Sequence, residues 1–156
     1  MKLEQPVLEQ TGDSLSDPVI VIGNGMVGHR FCRSFRSLDA STPVIVLGRE
    51  PEPAYDRVNL TRLVSEPRHE SLYLDATDWY TASNIELRLG ESVDSVDLNA
   101  RSVTTSSGKT INYGKLVVAS GSFPWIPPIP GADGDSVFPY RTMADIDNIR
   151  TAAASW

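Results

Sequence analysis

Four apolar residues in a row, Val19-Ile20-Val21-Ile22, lead into Gly23-Asn24-Gly25-Met26-Val27-Gly28, and apolar side chains then recur at Val27, Phe31, Phe35 and Leu38. A short unbroken apolar run bounded by glycine predicts a buried strand, and the three-to-four-residue spacing after it predicts a helix over about 26–38. A second apolar run, Val44-Ile45-Val46-Leu47, completes a strand–helix–strand unit. Prolines 51, 53 and 67 with charged residues between them make 51–71 a loop region holding a short helix near 59–64. A helix capped by Asp75 is expected over 75–83, then a third strand at 85–89.

Beyond that strand the apolar period changes to two. Residues 93–98, 102–106 and 110–113 predict a three-stranded antiparallel meander, with Ser107-Gly108 as one of its turns. Leu116-Val117-Val118-Ala119 returns to a continuous apolar run, the pattern of a parallel strand buried on both faces. Prolines 124, 127, 128 and 130 then set an extended, stiff segment that stops at Gly131, and 142–153 has weak helical character. The fold class is therefore α/β: a Rossmann-like parallel sheet with a three-stranded antiparallel meander.

Composition narrows this picture only slightly. The 156 residues, 40% apolar and 22% charged, suit one globular domain at 18–150, preceded by a flexible leader at 1–17 and followed by a chain end at 151–156. The net charge of −6, with no stripe of Lys and Arg, argues against a nucleic-acid or anionic-membrane surface. No stretch approaches the roughly 20 apolar residues of a membrane span, and the leader lacks a secretory pattern, so a cytoplasmic location is expected. Cys32 is the single cysteine, which rules out an internal disulfide, a C-x-x-C redox pair or a cysteine-held cluster within these residues. Electron transfer here would need an organic cofactor.

The glycine turn carries the chemistry. Gly23 permits a tight reversal, Gly25 permits close approach of backbone to a ligand, and Gly28 permits the helix to pack on the strand. The amides of Met26 and Val27, at the positive end of the helix, are the candidates to hold a pyrophosphate. An acidic residue for the ribose hydroxyls is expected at the end of the second strand, and Glu50 lies 22 positions past Gly28. It is also readable as a solvated loop carboxylate, and its neighbour Arg49 would attract a 2′-phosphate, as in NADP. His29 reads as a helix-start residue without useful titration, His69 as a loop residue, and the two together make no metal site. Cys32 reads as a small buried hydrophobe.

In order along the chain, Val-Ile-Gly-Asn-Gly-Met-Val-Gly-His-Arg at 21–30, Glu50-Pro51, Ala-Tyr-Asp-Arg-Val-Asn-Leu at 54–60, Lys-Leu-Val-Val-Ala-Ser-Gly-Ser at 115–122 and Pro-Trp-Ile-Pro-Pro-Ile-Pro-Gly at 124–131 form a distinctive set. Over about residues 18–150 the set resembles the N-terminal FAD-binding region of the pyridine nucleotide–disulfide oxidoreductase superfamily, above all the large subunits of assimilatory NAD(P)H nitrite reductases. The resemblance implies that Gly23, Gly25, Met26, Val27 and Gly28 line the FAD pyrophosphate and that Glu50 holds the adenosine ribose. It implies that Arg57 approaches the pyrophosphate or the flavin, and that the Val93 backbone meets the adenine. Ala119, Ser120 and Gly121 match the element that packs beside the cofactor, with Ser120 in place of the usual threonine, and Arg141 would stand near the far end of the site.

The family often has an acidic residue where Arg49 stands. A second G-x-G-x-x-G for NAD(P)H and the later Gly-Asp element do not occur by residue 156, so the fold is expected to be truncated before the NAD(P) domain. The function implied is the FAD-binding portion of a flavin-dependent NAD(P)H oxidoreductase that passes electrons towards nitrite. The alternatives are the FAD domain of a ferredoxin or rubredoxin reductase, and a non-catalytic nucleotide-binding module. The expected partners are the dinucleotide itself and either a second copy of the chain or downstream domains.

Overall fold

The computed structural model describes residues 17–155. Its centre is a four-stranded parallel sheet of β1 (Val19–Ile22), β2 (Val44–Gly48), β3 (Ile85–Leu89) and β7 (Lys115–Val118), in the order β3-β2-β1-β7. Val19 pairs with Val44 on one side and Lys115 on the other, so β1 is a central strand. Strand order reverses at β1, since β2 lies to one side of it and β7 to the other. Such a reversal opens a crevice beyond the carboxyl ends of the strands.

Alternation along the strands decides what each face covers, because successive side chains point to opposite sides of the sheet. Val19, Val21, Val44 and Val46 pack with Cys32, Tyr80 and Ile85, and with Phe31 and Phe35 of helix α1 (Met26–Leu38). Ile20, Ile45 and Leu47 point the other way and pack with Val103 of the antiparallel meander and Tyr113 just beyond it. That meander consists of β4 (Val93–Asp97), β5 (Ser102–Thr105) and β6 (Thr110–Asn112). The parallel sheet is thus the middle of three layers, and its alternating faces account for unbroken apolar runs in β1 and β2.

A smaller cluster sits beside this core. Tyr55, Leu60, Leu63 and Leu72 from the proline-rich loop region bury against Met143 and Ile146 of α4 (Met143–Ala153). The loop region contains a 3-10 turn at Arg57–Asn59, a short helix α2 (Arg62–Ser65) and a second 3-10 turn at His69–Leu72. The single short helix expected near 59–64 is therefore divided. Asp56 accepts from the amides of Val58 and Asn59, which starts the 3-10 turn ahead of α2.

Other expectations need correcting. Helix α3 is Thr77–Ala82 with Ala76 at its cap, and Asp75 does not cap it but turns to His29 and Arg33. β7 is parallel but an edge strand with Val118 68% exposed, because no element among the described residues covers its outer side. The weak helical signal at 142–153 is a well-capped α4: Thr142 and Asp145 form a reciprocal capping box. The leader, apart from Asp17, and Trp156 lie outside the described residues.

Candidate functional site

The glycine turn stands at the reversal point of the sheet. Gly23 has φ +108° and a Cβ there would come within 2.2 Å of the Ala119 carbonyl oxygen, so only glycine lets the end of β1 pass so close to the end of β7. Its amide donates to Leu47 O at 2.8 Å, and Ala119 N donates to Ile22 O at 2.8 Å, tying three strand ends together. Gly28 is buried, and a Cβ on it would meet Gly23 O at 2.1 Å. Its role is the helix–strand approach. Gly25 differs: a Cβ there would meet nothing within 4 Å.

Gly25 is also the N-cap of α1, and no side chain among the described residues hydrogen-bonds to that end. The first bond of the helix runs from His29 N to Gly25 O, 2.9 Å, leaving the amides of Met26, Val27 and Gly28 ahead of it without intrahelical acceptors. An open concavity beside uncapped amides at the positive end of a helix of 13 residues fits an anion.

A cavity of about 250 Å³ extends from this point. Gly23, Gly25, Glu50, Arg57, Val93, Ala119, Ser120, Gly121 and Arg141 all line it, so the folded chain brings together nine of the twelve residues named from the sequence. Met26, Val27 and Gly28 do not. The Met26 and Val27 side chains, 39% and 72% exposed, border a separate shallow groove with His29 and Arg30, so only their amides could serve a ligand in the cavity.

Glu50 is more engaged than its sequence position suggests. Tyr55 Oη donates to its Oε2 at 2.6 Å, and Arg57 forms an ion pair with its Oε1. Arg57 also donates to Tyr55 Oη at 2.7 Å and to Arg141 O at 3.0 Å. Burial, followed by the hydrogen bond to Glu50, pushes the Tyr55 phenol well above its ordinary range, which keeps it a donor. One network therefore fixes the end of β2, the Tyr-Asp-Arg segment and the approach to α4.

Glu52, which the sequence reading passed over, also lines the cavity. Tyr73 Oη donates to it, and His69 Nδ1 lies 3.1 Å from its Oε1 while His69 Nε2 lies 3.0 Å from Asp147 Oδ2. Donation from both ring nitrogens requires the imidazolium form. Burial opposes that charge, but the bonds to Glu52 and Asp147 outweigh it and raise the His69 pKa above its ordinary value. His29 is likewise not a bare helix-start residue: it is 5% exposed, its Nε2 is 2.7 Å from Asp75 Oδ2, and Arg33 braces the same carboxylate. Neither histidine had a visible carboxylate partner in sequence, because the partners lie 46 residues from His29 and, for His69, 17 and 78 residues away. Among the described residues no group of three ligands could hold a metal, and no helix is long and apolar enough to cross a membrane.

A parallel sheet with an order reversal at β1, and a glycine turn at the reversal that lines a cavity and leads into the uncapped start of a helix, define a Rossmann-like dinucleotide-binding fold. The chain belongs to the pyridine nucleotide-disulphide oxidoreductase family, whose pattern matches residues 17–155. It is 43% identical over 145 residues to the nitrite reductase [NAD(P)H] large subunit of Klebsiella oxytoca and 39% identical over 135 residues to the nitrite reductase (NADH) large subunit of Escherichia coli. Those alignments cover 90% and 85% of this chain but 15% and 16% of the relatives, so the chain spans about one-sixth of their length. Among solved structures, NADH:rubredoxin oxidoreductase from Clostridium acetobutylicum superposes with a TM-score of 0.78 at 26% identity, covering 89% of this chain and 36% of that one.

Proposed function

We propose that these residues form the FAD-binding portion of a flavin-dependent NAD(P)H oxidoreductase of the nitrite reductase large-subunit type, acting in the cytoplasm. The observation that carries this reading is the open Gly25 concavity beside the uncapped start of α1, at the reversal point of the sheet, in a chain 43% identical over 145 residues to a nitrite reductase large subunit. When bound, FAD supplies the capacity to take a hydride from NAD(P)H and release electrons singly or in pairs.

The residues of this chain bind and orient. The amides of Met26 and Val27, with Gly25 leaving room, hold the pyrophosphate. Glu50, set by Tyr55 and Arg57, retains lone pairs for the ribose hydroxyls, since a carboxylate can accept about four hydrogen bonds. Arg57 places a fixed positive charge on the cavity wall. Ala119, Ser120 and Gly121, at the end of β7, shape the side of the cavity next to the turn, and the Val93 backbone borders it from the meander.

The test is direct. Purified chain is titrated with FAD while flavin fluorescence is followed, and saturable quenching with one FAD per chain is expected. Absence of binding at hundred-micromolar FAD would remove this reading. The electron acceptor is tested in the complete gene product by comparing NAD(P)H-dependent reduction of nitrite with that of a ferredoxin or rubredoxin.

A further inference from the structure

Arg49 follows β2 directly and lines the cavity, exposed, with no carboxylate within 4 Å among the described residues. Its neighbour Glu50 is paired with Arg57 instead, so proximity in sequence does not neutralise it. The Arg49 guanidinium carbon lies 4.2 Å from the centroid of Phe123, a ring that is 71% exposed and lines the same cavity. A phenylalanine so exposed buries little apolar area, so its position on the cavity wall is not explained by the core. Arginine stacked on an aromatic ring presents a flat, weakly hydrated cationic face.

The geometry points to Arg49 and Phe123 as the adenine platform of this site: the base stacks on the pair, which joins the end of β2 to the segment after β7 over the adenosine end of the cavity. The inference rests on the dinucleotide reading above. The purine face is the right chemistry because every such base has a π-surface that stacks on planar groups without needing a hydrogen-bond code. The alternative occupant of an unpaired arginine at a β2 end is a 2′-phosphate, which a point charge would also attract. Stacking demands a planar group; phosphate binding does not.

The experiment measures binding of FAD, ADP-ribose and 2′-phospho-ADP-ribose to the 156-residue chain by calorimetry, for the wild type, Arg49→Ala, Arg49→Lys, Phe123→Ala and Phe123→Trp. Arg49→Ala and Phe123→Ala are each expected to weaken FAD and ADP-ribose about tenfold, as for loss of one base stack. Lysine should fail to rescue position 49, and tryptophan should preserve binding at position 123. Upfield shifts of the adenine protons of bound ADP-ribose in the wild type should shrink in both alanine variants. Thermal melting of the free chain should not move, because both side chains are exposed. Lysine equal to arginine, tighter binding of the 2′-phosphorylated ligand, or unchanged affinity in the alanine variants each overturns the platform while leaving the FAD reading intact. A wild type that binds neither FAD nor ADP-ribose overturns both.

Discussion

Three glycines of one turn do three physically different things, and substitution separates them. Gly25 faces open space, so Gly25→Val should leave the melting temperature within a few degrees of wild type while eliminating FAD binding, as read by calorimetry. Unchanged affinity would place the diphosphate elsewhere. At Gly28 a Cβ would fall 2.1 Å from a carbonyl oxygen, so Gly28→Ala should instead lower stability, by about 1–3 kcal/mol in urea melts, through forced separation of α1 from β1. Glu50→Ala has a mixed outcome: it removes a ribose acceptor and strips Arg57 and Tyr55 of their partner. Affinity for FAD should fall by about 1–3 kcal/mol, with some loss of stability alongside. The G-x-G-x-x-G spacing made the turn legible from sequence, but not which glycine is packed and which is open. That depends on Ala119 and on the Gly23 carbonyl, brought up by β7 and by the turn itself.

At the scale of elements, α4 and the proline-rich loop are held together by contacts with no local signature. His69 reaches Glu52 from one ring nitrogen and Asp147 from the other, joining the cavity wall to α4. Its pKa is raised in the folded protein, so this clasp stabilises the fold fully below the ordinary histidine pKa of about 6.5 and is lost as pH rises through the higher folded value. Urea midpoints of the wild type should therefore fall relative to His69→Gln between neutral and mildly alkaline pH; parallel curves for the two proteins would discount the clasp. Thr142→Ala, which opens the capping box of α4, should cost about 1 kcal/mol at any pH in that range. The strands, by contrast, were readable almost to the residue, because each sits on a sheet whose two faces impose a period or an unbroken run. Asp75 has the sequence pattern of a cap without being one, since a carboxylate ahead of a helix looks the same locally whether it bonds to helix amides or to a distant histidine.

For the whole molecule, Cys32 reports on cooperativity. It is 1% exposed on the sheet-facing side of α1, and burial pushes its thiol up to about 11. Alkylation at neutral pH should proceed only as fast as the core opens, so its rate should track the unfolding equilibrium as urea increases. Rapid labelling of native protein would mean that α1 lifts off independently. The sequence by itself determined the α/β class and the glycine turn, which rest on periodicities and spacings within about thirty residues, and the family, which rests on motifs that follow one another in order over residues 18–150. Only the tertiary structure decided that β7 lies at an edge, that Arg49 meets Phe123 while Glu50 turns to Arg57 and Tyr55, and that both histidines have carboxylate partners. Each of those depends on which distant segments share a cavity wall or a strand end, and side-chain pairing across such distances is set by packing geometry that no local pattern encodes.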